Sequence, residues 1–303
     1  MYFDQGMIGR FAVTREAFVR GDPAALFRML VTTVMFQRRQ DLQIMRILRG
    51  ISPEEALELT DVDALLALAD AHECPHNKSL DALLNRCDLT KDKQGRGCCE
   101  ANAALDCPLK LHTVLLKRYG HFGKVPLSAA LMLRAHGAED LEQLRQQVLA
   151  EAAGPAEASR LILERLAVSW RISEKIGSMF LSAVTNPALD PEAPWQEGLD
   201  HARFVVIDSN VDLFLRAINY QGAMTSYARR REFIQALAEA IDLSAMQPGV
   251  SAYNPRIVQQ AMYLFMSVTH RRHLSADCSH DEPPPCARCP DRLKALCAAS
   301  PHG

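Results

Sequence analysis

Long apolar runs are missing from this sequence. The best of them, Ala24 to Phe36, carries Arg28 in its middle and stops at Gln37-Arg38-Arg39, short of the ~20 apolar residues that a membrane-spanning helix needs. Met1 to Arg10 holds Asp4 and Arg10 but lacks the hydrophobic stretch of a secretory signal. These absences point away from a membrane and from export, and a cytoplasmic location is expected. A positive balance is missing too. The formal charge is −2 and the sequence pI about 6.6, whereas nucleic-acid-binding domains are commonly basic. Any contact with DNA must therefore come from cations gathered on one face. Glycine is scarce, at 15 of 303 residues, and alternating β-type patterns are nearly absent. That argues against a sheet-based fold, and no repeat of solenoid period is visible.

What is there reads as helix. Apolar residues recur at three- and four-residue spacing, and the starts are well marked. Ser52-Pro53-Glu54-Glu55 places a capping serine, a first-turn proline and acids near the positive end of the helix dipole. Thr60-Asp61-Val62-Asp63 opens the next helix in the same way. Later helices are expected at 110–119, 126–136, 140–153, 156–168, 173–185, 210–220, 226–241, 255–270 and 290–299. Three segments interrupt them. Residues 86–108 gather Cys87, Cys98, Cys99 and Cys107 around the basic loop Lys91-Asp92-Lys93-Gln94-Gly95-Arg96-Gly97; residues 186–203 form a connection containing proline and acids; residues 277–289 are rich in proline. A chain of this length suits two domains or one large one.

Cysteine is the residue type whose placement says most. Four of the nine, Cys278, Cys286, Cys289 and Cys297, stand in the spacing C-x7-C-x2-C-x7-C. A cytoplasmic setting and an odd cysteine count disfavour a disulfide scaffold. A Cys-x-x-Cys turn flanked by two further thiols supplies four ligands, and zinc and a [4Fe–4S] cluster both satisfy that set. In the middle of the chain, Cys74, His76, Cys87, Cys98, Cys99 and Cys107 are dense enough to build a second, zinc-type site but match no metal-binding spacing; the other reading of these cysteines is as buried thiols. The clusters Gln37-Arg38-Arg39-Gln40, Arg229-Arg230-Arg231 and His270-Arg271-Arg272-His273 are either local basic patches or solvated helix faces.

Two more segments attract attention. Ser169-Trp170-Arg171-Ile172-Ser173-Glu174-Lys175-Ile176-Gly177 reads as a turn followed by an amphipathic helix with Lys175 in its first turn. Val205-Val206-Ile207-Asp208-Ser209-Asn210 is an apolar run ending in an acid just before a helix, where an aspartate ordinarily serves as N-cap. Taken in order, these segments and the four-cysteine tail resemble the endonuclease III-like DNA glycosylases of the helix-hairpin-helix superfamily. Ser173 to Gly177 falls in register with the family's G-R-K-T-A, and Ile207-Asp208-Ser209-Asn210 with its V-D-T-H. Phe27 to Gln37 is similar to its first barrel helix, and Tyr263 through Cys278 to the helix leading into its iron–sulfur loop.

The resemblance implies an all-α, two-domain fold. Residues 23–208 would form a six-helix barrel with the hairpin, and 209–303 together with 1–22 a helical domain carrying a [4Fe–4S] cluster on Cys278, Cys286, Cys289 and Cys297. It implies Asp208 and Lys175 as catalytic residues, with Gln37, Arg38, Gln40, Trp170, Arg171 and Ser173 against double-stranded DNA. The chain departs from the family in three places. The hairpin Val168-Ser169-Trp170-Arg171-Ile172 lacks the glycines of L-P-G-V-G, residues 186–203 lengthen the connection, and Ser279 to Pro285 makes the cluster's first loop acidic. These departures fit a branch resembling the α-glutamyl/putrescinyl-thymine pyrophosphorylase-like proteins. The implied activity is excision, by a monomer, of a modified and bulky phage pyrimidine as a defence against phage. Two other functions stay open: a transferase modifying such bases, and a non-catalytic DNA-binding protein with a structural metal site. Lys175 either attacks C1′ and adds lyase activity or leaves water as the nucleophile.

Overall fold

The computed structural model describes residues 1–37, 41–87, 124–246 and 248–267. Among them the regular structure is helical throughout, with no strand. The chain divides into two compact units, Met1–His201 and Ala202–Gly303.

The first unit is organised on α3 (Pro23–Met35), which follows α1 (Gln5–Ile8) and α2 (Arg15–Val19). Asp22 caps α3 by accepting from the Ala25 amide at 2.9 Å, and Pro23 occupies the first turn. From Ala25 to Met35 every residue of α3 but Arg28 is buried. The longest apolar run of the sequence is thus a helix enclosed on all sides. Its two central hydroxyls are satisfied within the helix, Thr32 donating to Arg28 O and Thr33 to Met29 O, each at 2.7 Å.

Next come α4 (Asp41–Arg49), α5 (Pro53–Glu58), α6 (Val62–Ala71) and α7 (Leu80–Asn85). They are followed by α8 (Lys124–Ala135), α9 (Leu141–Glu151), α10 (Pro155–Ala167) and α11 (Glu174–Thr185). Helices α2, α8, α9 and α11 pack on α3, and α10 lies against α9 and α11. The capping box expected at Ser52 is formed, with Ser52 Oγ accepting from Glu55 N and the Glu55 carboxylate from Ser52 N. Asp61 caps α6 through Ala64 N at 2.8 Å.

Residues 1–22, grouped by sequence with the C-terminal domain, pack within the first unit. Tyr2 Oη meets Thr33 Oγ1 at 2.8 Å, and Arg15 forms hydrogen bonds with Asp190 and Glu192. Residues 186–200 are correspondingly fastened down. Trp195 is buried, packs edge-on against Phe180 at 5.9 Å, and donates its backbone N–H to Val184 O.

In the second unit an extended run, Phe204 to Ile207, leads into α12 (Ser209–Ala217), α13 (Tyr227–Glu239), α14 (Leu243–Met246) and α15 (Pro255–Met266). Its core joins Val205, Ile207, Val211, Leu215, Ile234, Ala238, Val258 and Met262.

Candidate active site

Lys175 belongs to the first unit and Asp208 to the second. In the first unit, α10 and α11 are joined by a tight turn and pack against each other. The contact is close: a Cβ on Gly177 would stand 2.4 Å from Leu163 Cδ1. The turn bonds Ser169 N to Leu166 O and Ile172 N to Ser169 O, each at 3.1 Å. Arg171 stands between them with φ +67°, the left-handed region in which an arginine is strained and a glycine is not. The turn therefore takes up a glycine-type conformation although the sequence offers no glycine.

The neighbours of this turn are specific. Gln37, just past the end of α3, donates its side-chain amide to Val34 O at 2.8 Å and to Arg171 O at 2.9 Å. Trp170 donates its backbone N–H to Ser128 Oγ of α8 at 2.8 Å. Lys124, the first residue of α8, is fully buried, places Nζ 4.0 Å from the Trp170 ring centroid and donates to Cys87 O at 3.0 Å. Arg171 lies 5.5 Å from the same ring. The indole is thus a half-buried platform beneath two cations. Ser173 is exposed at the N-cap of α11 and makes no side-chain cap bond. Lys175 is half-buried in the first turn and forms no hydrogen bond or ion pair among the described residues.

In the second unit Asp208 caps α12. Its Oδ1 accepts from Asn210 N at 3.0 Å and Val211 N at 2.9 Å. Its other carboxylate oxygen accepts nothing from the described residues. Capping and chemistry are therefore compatible in this side chain: the helix amides fix one oxygen and leave the other available. The residues just before it are buried and extended, and a side chain replaces a neighbouring strand. Tyr227 Oη accepts from Ile207 N at 3.1 Å and donates to Val205 O at 2.8 Å.

The cluster Arg229-Arg230-Arg231 does not form a patch. Arg229 is exposed and paired with Glu232, Arg230 pairs with Asp212, and Arg231 is buried. Of the residues singled out by sequence, Gln37, Trp170 and Arg171 come together. Arg38, Gln40, Cys98, Cys99, Cys107, Cys278, Cys286, Cys289 and Cys297 lie outside the described residues, as do the helices expected at 110–119 and 290–299. Sequence reasoning missed Lys124 and Tyr227. A lone lysine heading the apolar run Val125 to Leu133 was a usable signal for the first; nothing local marks the second. Compared with known proteins, the chain finds no counterpart: no family model, no curated protein and no solved structure matches it.

Proposed function

We propose that this chain is a DNA glycosylase that extrudes a modified pyrimidine from double-stranded DNA and cleaves its N-glycosidic bond. The reading rests on the order of motifs along the sequence, and one observation carries it furthest. Asp208 presents a carboxylate with one oxygen held by the first amides of α12 and the other open.

Breaking the bond between C1′ and the base develops positive charge on the sugar, as in other glycoside cleavages. A fixed carboxylate beside the ring stabilises that charge and orients the incoming nucleophile. With water as nucleophile, hydroxide adds to C1′, the base leaves as the free pyrimidine, and an abasic site remains. With Lys175 as nucleophile, its amine bonds to C1′ as the base departs with an amine proton, and opening of the C1′–O4′ bond then gives a Schiff base. Borohydride traps that species as a covalent protein–DNA adduct, which distinguishes the two routes. Gln37 and Arg171, beside the turn between α10 and α11, would face the DNA; extruding the base costs a few kcal/mol of unpairing and unstacking.

The proposed cofactor is a [4Fe–4S] cluster on Cys278, Cys286, Cys289 and Cys297, with zinc as the alternative. It rests on thiol spacing and no chemical step runs through it. Purified protein should be brown and contain iron and sulfide, and Cys286→Ser should lose both; a colourless zinc protein would replace the cluster with the alternative.

The deciding experiment incubates the protein with DNA carrying different modified cytosines and thymines. Abasic sites and a free base by mass spectrometry are expected from at least one of them. An altered base still attached to the DNA would mean a transferase instead. Asp208→Asn keeps an equally good N-cap, so it should melt like the wild type, bind the same DNA and release no base. Full base release by that variant would remove Asp208 from the chemistry.

A further inference from the structure

The residue that fastens the backbone leading into Asp208 is not on the helix that Asp208 caps. Phe204, Val205, Val206 and Ile207 are all buried, so their backbone groups need partners other than water. The Tyr227 hydroxyl supplies two, accepting from Ile207 N and donating to Val205 O. Ile207 is the residue immediately before Asp208, so this bond fixes the Val206–Ile207 peptide, one peptide ahead of the one that carries the Asp208 nitrogen.

Tyr227 is itself braced. The Arg230 guanidinium lies 5.8 Å from its ring centroid and pairs with Asp212. Asp212 in turn donates its amide to Asp208 O at 2.9 Å in the first turn of α12. A closed ring of contacts results, running from Asp208 through α12 to Asp212, Arg230, Tyr227 and Ile207, and back. Helix amides hold the carboxylate, and the tyrosine holds the backbone that leads into it. We infer that Tyr227, braced by Arg230 and Asp212, is the positioning residue for Asp208, acting on base release without touching the substrate. The inference rests on the glycosylase reading only for the step that it positions.

Tyr227→Phe keeps the ring and removes the hydroxyl. Hydrogen exchange in the full-length protein reads the placement directly. In this variant the amides of Ile207, Asn210 and Val211 should exchange at least tenfold faster than in the wild type, while those of α15 stay unchanged. Unchanged exchange at Asn210 and Val211 would overturn the inference whatever the protein does to DNA.

Single-turnover base release reads the consequence. Misplacing a reacting group by an ångström costs on the order of a hundredfold in rate, so a fall of about ten- to a hundredfold is expected, with DNA affinity unchanged. A rate matching the wild type, corrected for folded fraction, would leave Tyr227 a purely structural residue. Asp212→Asn removes the charge that pairs with Arg230 without disturbing the core, and should give the same two effects at smaller size. Faster exchange in a protein that releases no base from any modified DNA would refute the glycosylase reading and leave the positioning intact.

Discussion

Arg171 shows how much a single residue can hold that its sequence neighbourhood conceals. The hairpin segment lacks glycine, the residue that ordinarily takes a left-handed turn position. Instead Arg171 takes φ +67°, at a cost of roughly 1–2 kcal/mol for an L residue. Strain of this kind persists where surrounding contacts over-determine it. Here Gln37 grips the Arg171 carbonyl, and the Trp170 ring lies under its guanidinium. Arg171→Gly should therefore melt no lower than the wild type. It regains about 1 kcal/mol of backbone strain and loses a contact with Trp170 of about 0.5–1 kcal/mol. Arg171→Val, β-branched and poorly suited to positive φ, should melt measurably lower. If the side chain is kept for DNA, both variants bind duplex DNA more weakly in a fluorescence anisotropy titration. Valine tolerated as well as glycine would mean that the left-handed turn is not held in solution.

Among the elements, the helices were legible and their mutual fastenings were not. Six of the later helices expected from periodicity lie in described residues, and each starts and ends within a few residues of the observed α8 to α13; the one expected at 255–270 starts with α15, and its last three residues lie outside the described ones. Capping chemistry is local, so Ser52 and Asp61 announced their helices without tertiary help. The opposite holds for the stretch 186–203. Its prolines and acids read as an insertion, yet Trp195 buries itself against Phe180, and Asp190 and Glu192 bind Arg15 far away in sequence. The bond from Tyr227 to Ile207 is equally invisible, since no periodicity connects a helix start to an extended run before the preceding helix. Gly177 is an intermediate case: a glycine inside a helical pattern announces a close approach without naming the partner. That partner is Leu163. Gly177→Ala and Leu163→Ala should consequently be non-additive. Each alone destabilises, alanine at 177 by crowding Leu163 and alanine at 163 by opening a cavity. Together they should cost less than the sum by about 1 kcal/mol in denaturant unfolding. Strict additivity would mean that α10 and α11 do not meet at these two residues.

For the molecule as a whole, the acid limb of stability follows from a few titrating groups of the first unit. Burial holds the His201 imidazole below its ordinary value of 6.5, with Asp200 opposing the shift in part. Burial lowers His136 in the same direction, reinforced by Arg165 and opposed by Glu151. Both imidazoles are harder to protonate folded than unfolded. Near pH 8 they are neutral in either state and contribute almost no slope. Below 6.5 the unfolded chain binds protons that the folded one refuses, so stability falls as pH falls. Asp190 acts at lower pH. Burial pushes its carboxyl up, but the hydrogen bonds from Arg15 and the Glu192 backbone outweigh it and hold the group below 3.8. Its contribution is present above 3.8 and is lost as pH falls through the folded value. The melting temperature should therefore be nearly flat around pH 8 and decline as pH falls through 6.5. It should decline again below about 4, a second limb that Arg15→Met should flatten. Replacing His136 and His201 together by glutamine, neutral at every pH, should make the first decline shallower and leave the plateau slope unchanged. Scanning calorimetry at constant ionic strength provides the measurement. A double variant whose first decline is as steep as that of the wild type would assign that limb to other groups.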